Sequence, residues 1–283
     1  MPRHSHRSRT PRRNRGRFGP LFKLLCAAAV IVAMTVGATV FFRVETVTVT
    51  GNQRYTQEEI VAASGIQLGD NLYSLNKVRI DRSLRTTLPY IGKLTINRAL
   101  PSTIVITVTE WEAVAQVAPP DSEQAAAYRA AAGEHAVSTA QESWLISVKG
   151  KLLEPAPADS TAISVTGLTA LAPQAGSFLE VPETEQTRLE ALTGLLEALE
   201  TRETLREVSA IRLESTCLVA RYAGRFDVKM KLNADFDYDV RLMQSVREQV
   251  EIQQGEDAAG SIDLTQERYG AVFSPSGGTR PQE

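Results

Sequence analysis

From Leu24 to Phe42 the chain reads LLCAAAVIVAMTVGATVFF, an apolar run broken only by Thr35, Gly37 and Thr39 and free of charge. Nineteen residues of helix rise about 28 Å, close to the ~30 Å hydrocarbon core of a bilayer. After this run the pattern changes period. Residues 44–50 alternate with β-branched side chains, Val47 and Val49 sharing one face, and read as a strand closed by the turn pair Gly51-Asn52. Thr56 with Glu59 three residues on is a capping box, Ile60, Val61 and Ala63 give the helix an apolar side, and Gly65 stops it. A loop over 67–71 leads to a second helix started by Asn76 or Ser74, marked by Val78, Ile80, Leu84 and Leu88, and ended by Pro89. Two strands follow, residues 91–97 and 103–109, split by Pro101-Ser102. The order is β-α-α-β-β.

Pro119-Pro120 then breaks the chain, and residues 121–142 are Ala-rich and polar, suited to a short exposed helix or to no fixed structure. Beyond them, residues 143–154 form two apolar runs around Lys149-Gly150, a hairpin, and residues 163–168 form a short extended piece. Thr184 is placed to cap a helix with Leu189, Leu192, Leu195, Leu196 and Leu199 on one side. Period two returns at Ile211 and Leu213. It is clearest in the hairpin 217–232, where Phe226, Val228, Met230 and Leu232 oppose Asp227, Lys229 and Lys231. Asn233 or Asp235 caps a further helix carrying Phe236, Val240, Met243, Val246 and Val250. Ile262-Asp263-Leu264 and Ala271-Val272-Phe273 are short strands at the end.

Charge changes the picture at the apolar run. Residues 1–23 hold Arg3, Arg7, Arg9, Arg12, Arg13, Arg15, Arg17 and Lys23 and no acid, while the whole chain has 31 basic against 33 acidic residues, so the remainder is net acidic. The positive-inside rule puts the tail in the cytoplasm and the bulk outside. Beside a span, arginines set topology and touch anionic lipid rather than announce nucleic acid. Two other readings of the run stay open: a signal peptide cut near Val36-Gly37-Ala38, and a buried core helix. The 2 cysteines, Cys26 and Cys217, exclude a disulfide framework.

The first soluble stretch, on its order of elements, resembles a POTRA domain. Its details resemble the FtsQ/DivIB bacterial cell-division proteins: Val47-x-Val49-x-Gly51-Asn52, Leu88-Pro89-Tyr90-Ile91, then Arg98-x-x-Pro101 followed by Ile104-x-Ile106-x-Val108-x-Glu110 and Ala113-Val114-Ala115. Trp111 departs from the Arg the family often has there. The later stretch matches more loosely, through Trp144 to Gly150 and Ile262-Asp263-Leu264. The reading is α+β: a basic cytoplasmic tail over 1–23, a transmembrane helix over 24–42, a POTRA domain over 44–117, an Ala-rich linker or insertion over 118–142, a mixed β domain with two helices over 143–273, and a disordered tail over 274–283.

What the resemblance implies is a non-enzymatic scaffold of the division apparatus in the bacterial inner membrane at the septum. It would hold the bitopic proteins FtsL and FtsB/DivIC outside the membrane and bear on the FtsW–FtsI synthase pair, without a cofactor. It places partner binding on the last strand, here Gly270, Ala271, Val272 and Phe273 with Tyr269 in the preceding turn, by strand addition. A POTRA-bearing translocation or chaperone component is the other class that fits. A membrane-tethered enzyme lacks material: His4, His6 and His135 lie outside predicted core elements, and there is no Gly-rich phosphate loop. Glu185, Glu190, Glu197, Glu200 and Glu203 read as a solvated helix face, and Asp235, Asp237 and Asp239 as acids at a helix start.

Overall fold

A computed structural model describes residues 19–266 and 270–276, the side chains of 38–40 excepted. Helix α1 (Gly19–Phe41) begins ahead of the apolar run, with Pro20 in its first turn, where a missing N–H costs nothing. None of its described side chains is buried, and it is long and apolar enough to cross a membrane. Thr35 returns its hydroxyl to the Ile31 carbonyl at 2.8 Å, so even its polar atom is satisfied within the helix.

The first domain is built from β1 (Thr46–Thr50), α2 (Gln57–Ser64), α3 (Lys77–Thr87), β2 (Ile91–Ala99) and β3 (Thr103–Glu110). β3 lies between β1, parallel to it, and β2, antiparallel. Val47, Val49, Ile104, Ile106 and Val108 bury one sheet face against Ile60, Ile80 and Leu84 of the helices. The local signals act as read. Thr56 and Glu59 exchange both capping bonds, Gly65 takes the left-handed conformation after α2, and Asn76 accepts from the Val78 and Arg79 amides to start α3. The Glu110 carboxylate takes the main-chain N–H groups of Gln53, Arg54 and Tyr55, fixing the loop after β1.

The second domain is one nine-stranded sheet. Its strands are β4 (Ala115–Val117), β5 (Trp144–Ile146), β6 (Leu152–Pro155), β7 (Ile163–Thr166), β8 (Val208–Leu213), β9 (Cys217–Tyr222), β10 (Phe226–Lys231), β11 (Gly260–Asp263) and β12 (Val272–Pro275), in the order β12-β11-β10-β9-β8-β7-β4-β5-β6. Helix α4 (Ser122–Ala132) lies in the Ala-rich segment, capped by Asp121. Helices α5 (Gln186–Thr201) and α6 (Phe236–Gln254) are the crossovers that parallel pairing requires between β7 and β8 and between β10 and β11. Leu192, Leu195, Leu196 and Leu199 of α5 and Val240, Met243 and Val250 of α6 bury the inner face of the sheet. The hairpin of β9 and β10 turns through Ala223 and Gly224, both at positive φ, as a right-twisted two-strand ribbon favours.

The architecture is thus the α+β one the sequence implied, with local differences. Residues 115–117, set at the end of the first domain, pair with β5 and β7 of the larger sheet. β12 runs two residues into the stretch set apart as a tail. Thr184 does not cap α5; it sits in a 3-10 turn, Glu183–Glu185. Glu185 is no solvated acid either. It is 7% exposed, and its carboxylate takes the Thr169 N–H at 2.6 Å and hydroxyl at 3.0 Å.

The two domains share a packed junction. Tyr90 packs with Leu145 and Leu153, and its hydroxyl donates to Glu154 at 2.6 Å. Arg54 pairs with the same carboxylate at 2.9 Å and lies 3.8 Å over the Tyr90 ring. Lys151, 3% exposed, reaches from the start of β6 to the Ile91 carbonyl of β2 at 2.8 Å. Burial, with the Arg85 charge adding to it, pushes the Lys151 ammonium from 10.5 down to about 8. Between those two pH values the unfolded chain holds a proton that the folded chain has released. Stability therefore rises as pH is raised through that window. From pH 7.5 to 9.5 this gain amounts to about 2 kcal/mol. Lys151→Met keeps the packed stem and is expected to remove the gain, read as the difference between the two proteins in urea denaturation in detergent at both pH values. Equal pH slopes would show that the ammonium is solvated.

Candidate partner-binding edge

Of the residues picked out on the last strand, Tyr269 lies outside the described residues. Gly270, at φ 70, turns the chain into β12, where a left-handed conformation favours glycine. Ala271 and Phe273 are half-buried against the core, and the Phe273 ring meets that of Phe226 edge-on at 6.2 Å. Gly260 makes this possible: the space a Cβ would take there is 2.7 Å from the Phe273 ring, so the aromatic ring covers the glycine of the neighbouring strand.

β12 is the end strand of the sheet. Its register with β11 pairs Asp263 with Val272, Ile262 with Phe273 and Ser261 with Ser274, and just past the strand the Ser276 N–H donates to Ala259 O at 2.8 Å. In an antiparallel ladder hydrogen-bonded pairs alternate with non-bonded ones. Val272 and Ser274 therefore spend their main-chain groups on β11, while Phe273 turns both N–H and C=O outward. Ala271 shares that phase, and Pro275 presents only a carbonyl. Val272 N–H faces β11, so proline at 272 would break the native ladder rather than blunt the open edge. Phe273 is the position where the two effects separate.

The other edges are more occupied. β6 is covered by the chain at 176–179, through Leu152 N–H to Ser177 O and Gly176 N–H to Leu152 O, both 2.8 Å. On β2, the carbonyls of Ile91, Gly92 and Ile96 accept from Lys151, Arg85 and Lys77. On β1, Gln57 reaches the Val47 carbonyl at 3.3 Å. Near β12, burial acts to raise the Asp263 carboxyl, but the Thr265 hydroxyl and N–H and the Gln266 amide outweigh it and hold the group below its ordinary value.

Two of the three acids at the start of α6 have structural partners. Asp235 caps α6 by accepting from Tyr238 N–H, Asp237 pairs with Arg202 at 2.7 Å, and burial, then the charge of Asp235, pushes the Asp239 carboxyl up to about 6. Trp111 stacks its ring edge where a Cβ on Gly92 would be, and Trp144 packs on the sheet core. The junction of Arg54, Tyr90, Lys151 and Glu154 was not legible in the sequence: its members are scattered over 100 positions and follow no periodicity.

An apolar helix long enough to cross a membrane, a β-α-α-β-β domain, and a mixed sheet that ends, among the described residues, in β12 together define the architecture of a POTRA-domain protein with an N-terminal apolar helix. Residues 42–111 match the family described as POTRA domain, FtsQ-type. The chain is similar to the cell division protein FtsQ of Corynebacterium glutamicum, 30% identical over 93 residues, which are 31% of this chain and 41% of that one. It is similar to the cell division protein DivIB of Geobacillus kaustophilus, 37% identical over 71 residues, 25% of this chain and 27% of the relative. To DivIB of Bacillus subtilis it is 32% identical over 74 residues, 26% and 28% of the two chains. Each match spans less than half of the relative's length. These matches bear out the resemblance to FtsQ/DivIB proteins read from the sequence.

Proposed function

We propose that this chain is a non-enzymatic scaffold of bacterial cell division. It is held by one membrane span with its basic tail in the cytoplasm and both folded domains outside, and it captures bitopic partners of the FtsL and FtsB/DivIC kind on the β12 edge. Through them it bears on the FtsW–FtsI synthase pair at the septum. The division role has the support of the relatives, each a cell division protein by name. The capture mode rests on one observation: β12 ends the larger sheet with the Phe273 N–H and C=O outward, while the β6 edge is covered by another segment. Such an edge is a template for a partner strand, main-chain bonds giving affinity and alternate side chains giving choice.

The test compares two substitutions. Phe273→Pro removes the outward donor and the ring; Phe273→Ala removes the ring alone. With the full chain co-expressed with FtsL and FtsB/DivIC, the proline variant is expected to lower co-purification about tenfold or more below the alanine variant, as the loss of a main-chain bond and of strand fit implies. Equal capture by both would sink the β12 reading and point to the β1 edge, Thr46–Thr50.

A further inference from the structure

The exit of α1 into the first domain has no slack. Leu72 N–H donates to Phe42 O at 2.8 Å, Val44 N–H to Asp70 O at 2.8 Å, and Gly69 N–H to Val44 O at 2.8 Å. The chain leaving the helix thus pairs at once, antiparallel, with the loop between α2 and α3, and the residues of that loop nearest α1 are Leu72 and Tyr73. Three rings line up there: Phe41 meets Phe42 edge-on at 5.3 Å, and Phe42 meets Tyr73 at 5.2 Å. Arg98 ties in the turn between β2 and β3, donating to Leu72 O at 2.6 Å and Leu75 O at 3.2 Å with its guanidinium 5.7 Å from the Tyr73 ring. On the other side of that turn, the Glu45 N–H donates to Ser102 O at 2.8 Å. Leu100, at the tip, is therefore held at the same end of the domain as the helix exit.

Tyr73 is 54% exposed and Leu100 59% exposed. A single exposed leucine needs no explanation. An exposed tyrosine and leucine fixed by hydrogen bonds beside the last turn of a spanning helix, with Arg43 and Arg98 next to them, do. An aromatic ring with a polar end, flanked by arginines, suits the boundary between headgroups and acyl chains. We propose that Tyr73 and Leu100 form a lipid-contacting collar that seats the POTRA domain on the bilayer and fixes its orientation. The occupant is the lipid surface itself, since the patch is continuous with the helix that enters it. This rests on α1 spanning the membrane, and the test separates the two.

The full chain, with Cys26→Ala and Cys217→Ala, is spin-labelled at one introduced cysteine and placed in vesicles of phosphatidylcholine and phosphatidylglycerol. Labels at Leu100→Cys, at Met34→Cys within α1, and at Ile252→Cys on the second domain are compared by accessibility to oxygen and to a water-soluble nickel complex. The Leu100 label is expected to show an oxygen-to-nickel ratio about threefold or more above that at Ile252 and below that at Met34, the mark of interfacial depth. A Leu100 label as aqueous as Ile252, with Met34 deep, would overturn the collar and leave the span standing. An aqueous Met34 label would overturn the span, and the collar with it.

Discussion

Replacing Gly51 with alanine is expected to unfold the POTRA domain. Gly51 closes β1 at φ 84, and a Cβ there would lie 2.2 Å from Val108 O and 3.3 Å from Val108 C. Both are main-chain atoms of β3, the central strand, so no side-chain rotation relieves the overlap. The left-handed backbone alone costs an alanine about 1–2 kcal/mol. The rest must come from prying β1 away from β3, and we expect a total loss above about 4 kcal/mol, the exceptional range for one substitution. Gly65→Ala is the internal control. It is also left-handed, at φ 68, but nothing lies within 4 Å of the new methyl, so only the backbone cost of about 1–2 kcal/mol is at stake. Hydrogen exchange at Ile104, Ile106 and Val108, read on the full chain in detergent, distinguishes the two. Comparable protection in both variants would mean that the approach of Gly51 to β3 is looser than these distances.

Gly51 also marks the limit of what the sequence discloses. Its role as a turn was legible, because Gly-Asn after an alternating run is a local signal. Its closeness to Val108 was not, because that partner is 57 positions away. The same division holds elsewhere. The capping box of Thr56 and Glu59 and the stop at Gly65 involve neighbours within three or four residues and came out as read. Ala115–Val117 looked like the end of the first domain because strand propensity says nothing of which sheet a strand joins; its partners β5 and β7 come later in the chain. Glu185 looked like one more acid on a leucine-striped helix until the loop carrying Thr169 closed over it. For the partner edge, the family resemblance named the strand, and the register supplied which of its amides point outward.

Gly260→Ala is expected to detach β12 while leaving the rest of the sheet in place. A Cβ at 260 would lie 2.3 Å from Ser274 O and 2.7 Å from the Phe273 ring. Both contacts belong to β12, and among the described residues β12 pairs with β11 alone, over four residue pairs. Release of that strand is therefore the easiest relief. It gives up a few ladder bonds, each worth about 1 kcal/mol net, and the half-buried Phe273 ring. Displacing β11 instead would break the buried packing of Ile262 as well. The global loss should stay near 2 kcal/mol, within the range of ordinary substitutions. The local loss should be nearly complete. The amides of Ser261 and Asp263, which face β12, should lose their exchange protection, while those of Val228 and Met230 in β10 keep theirs. If the β12 edge is the capture site, co-purification of FtsL and FtsB/DivIC should fall at least as far as with Phe273→Pro, although Gly260 itself presents nothing to a partner. Lost protection at Ser261 and Asp263 with undiminished capture would separate β12 from partner binding altogether. Retained protection at both would instead show that Phe273 can yield without the strand leaving.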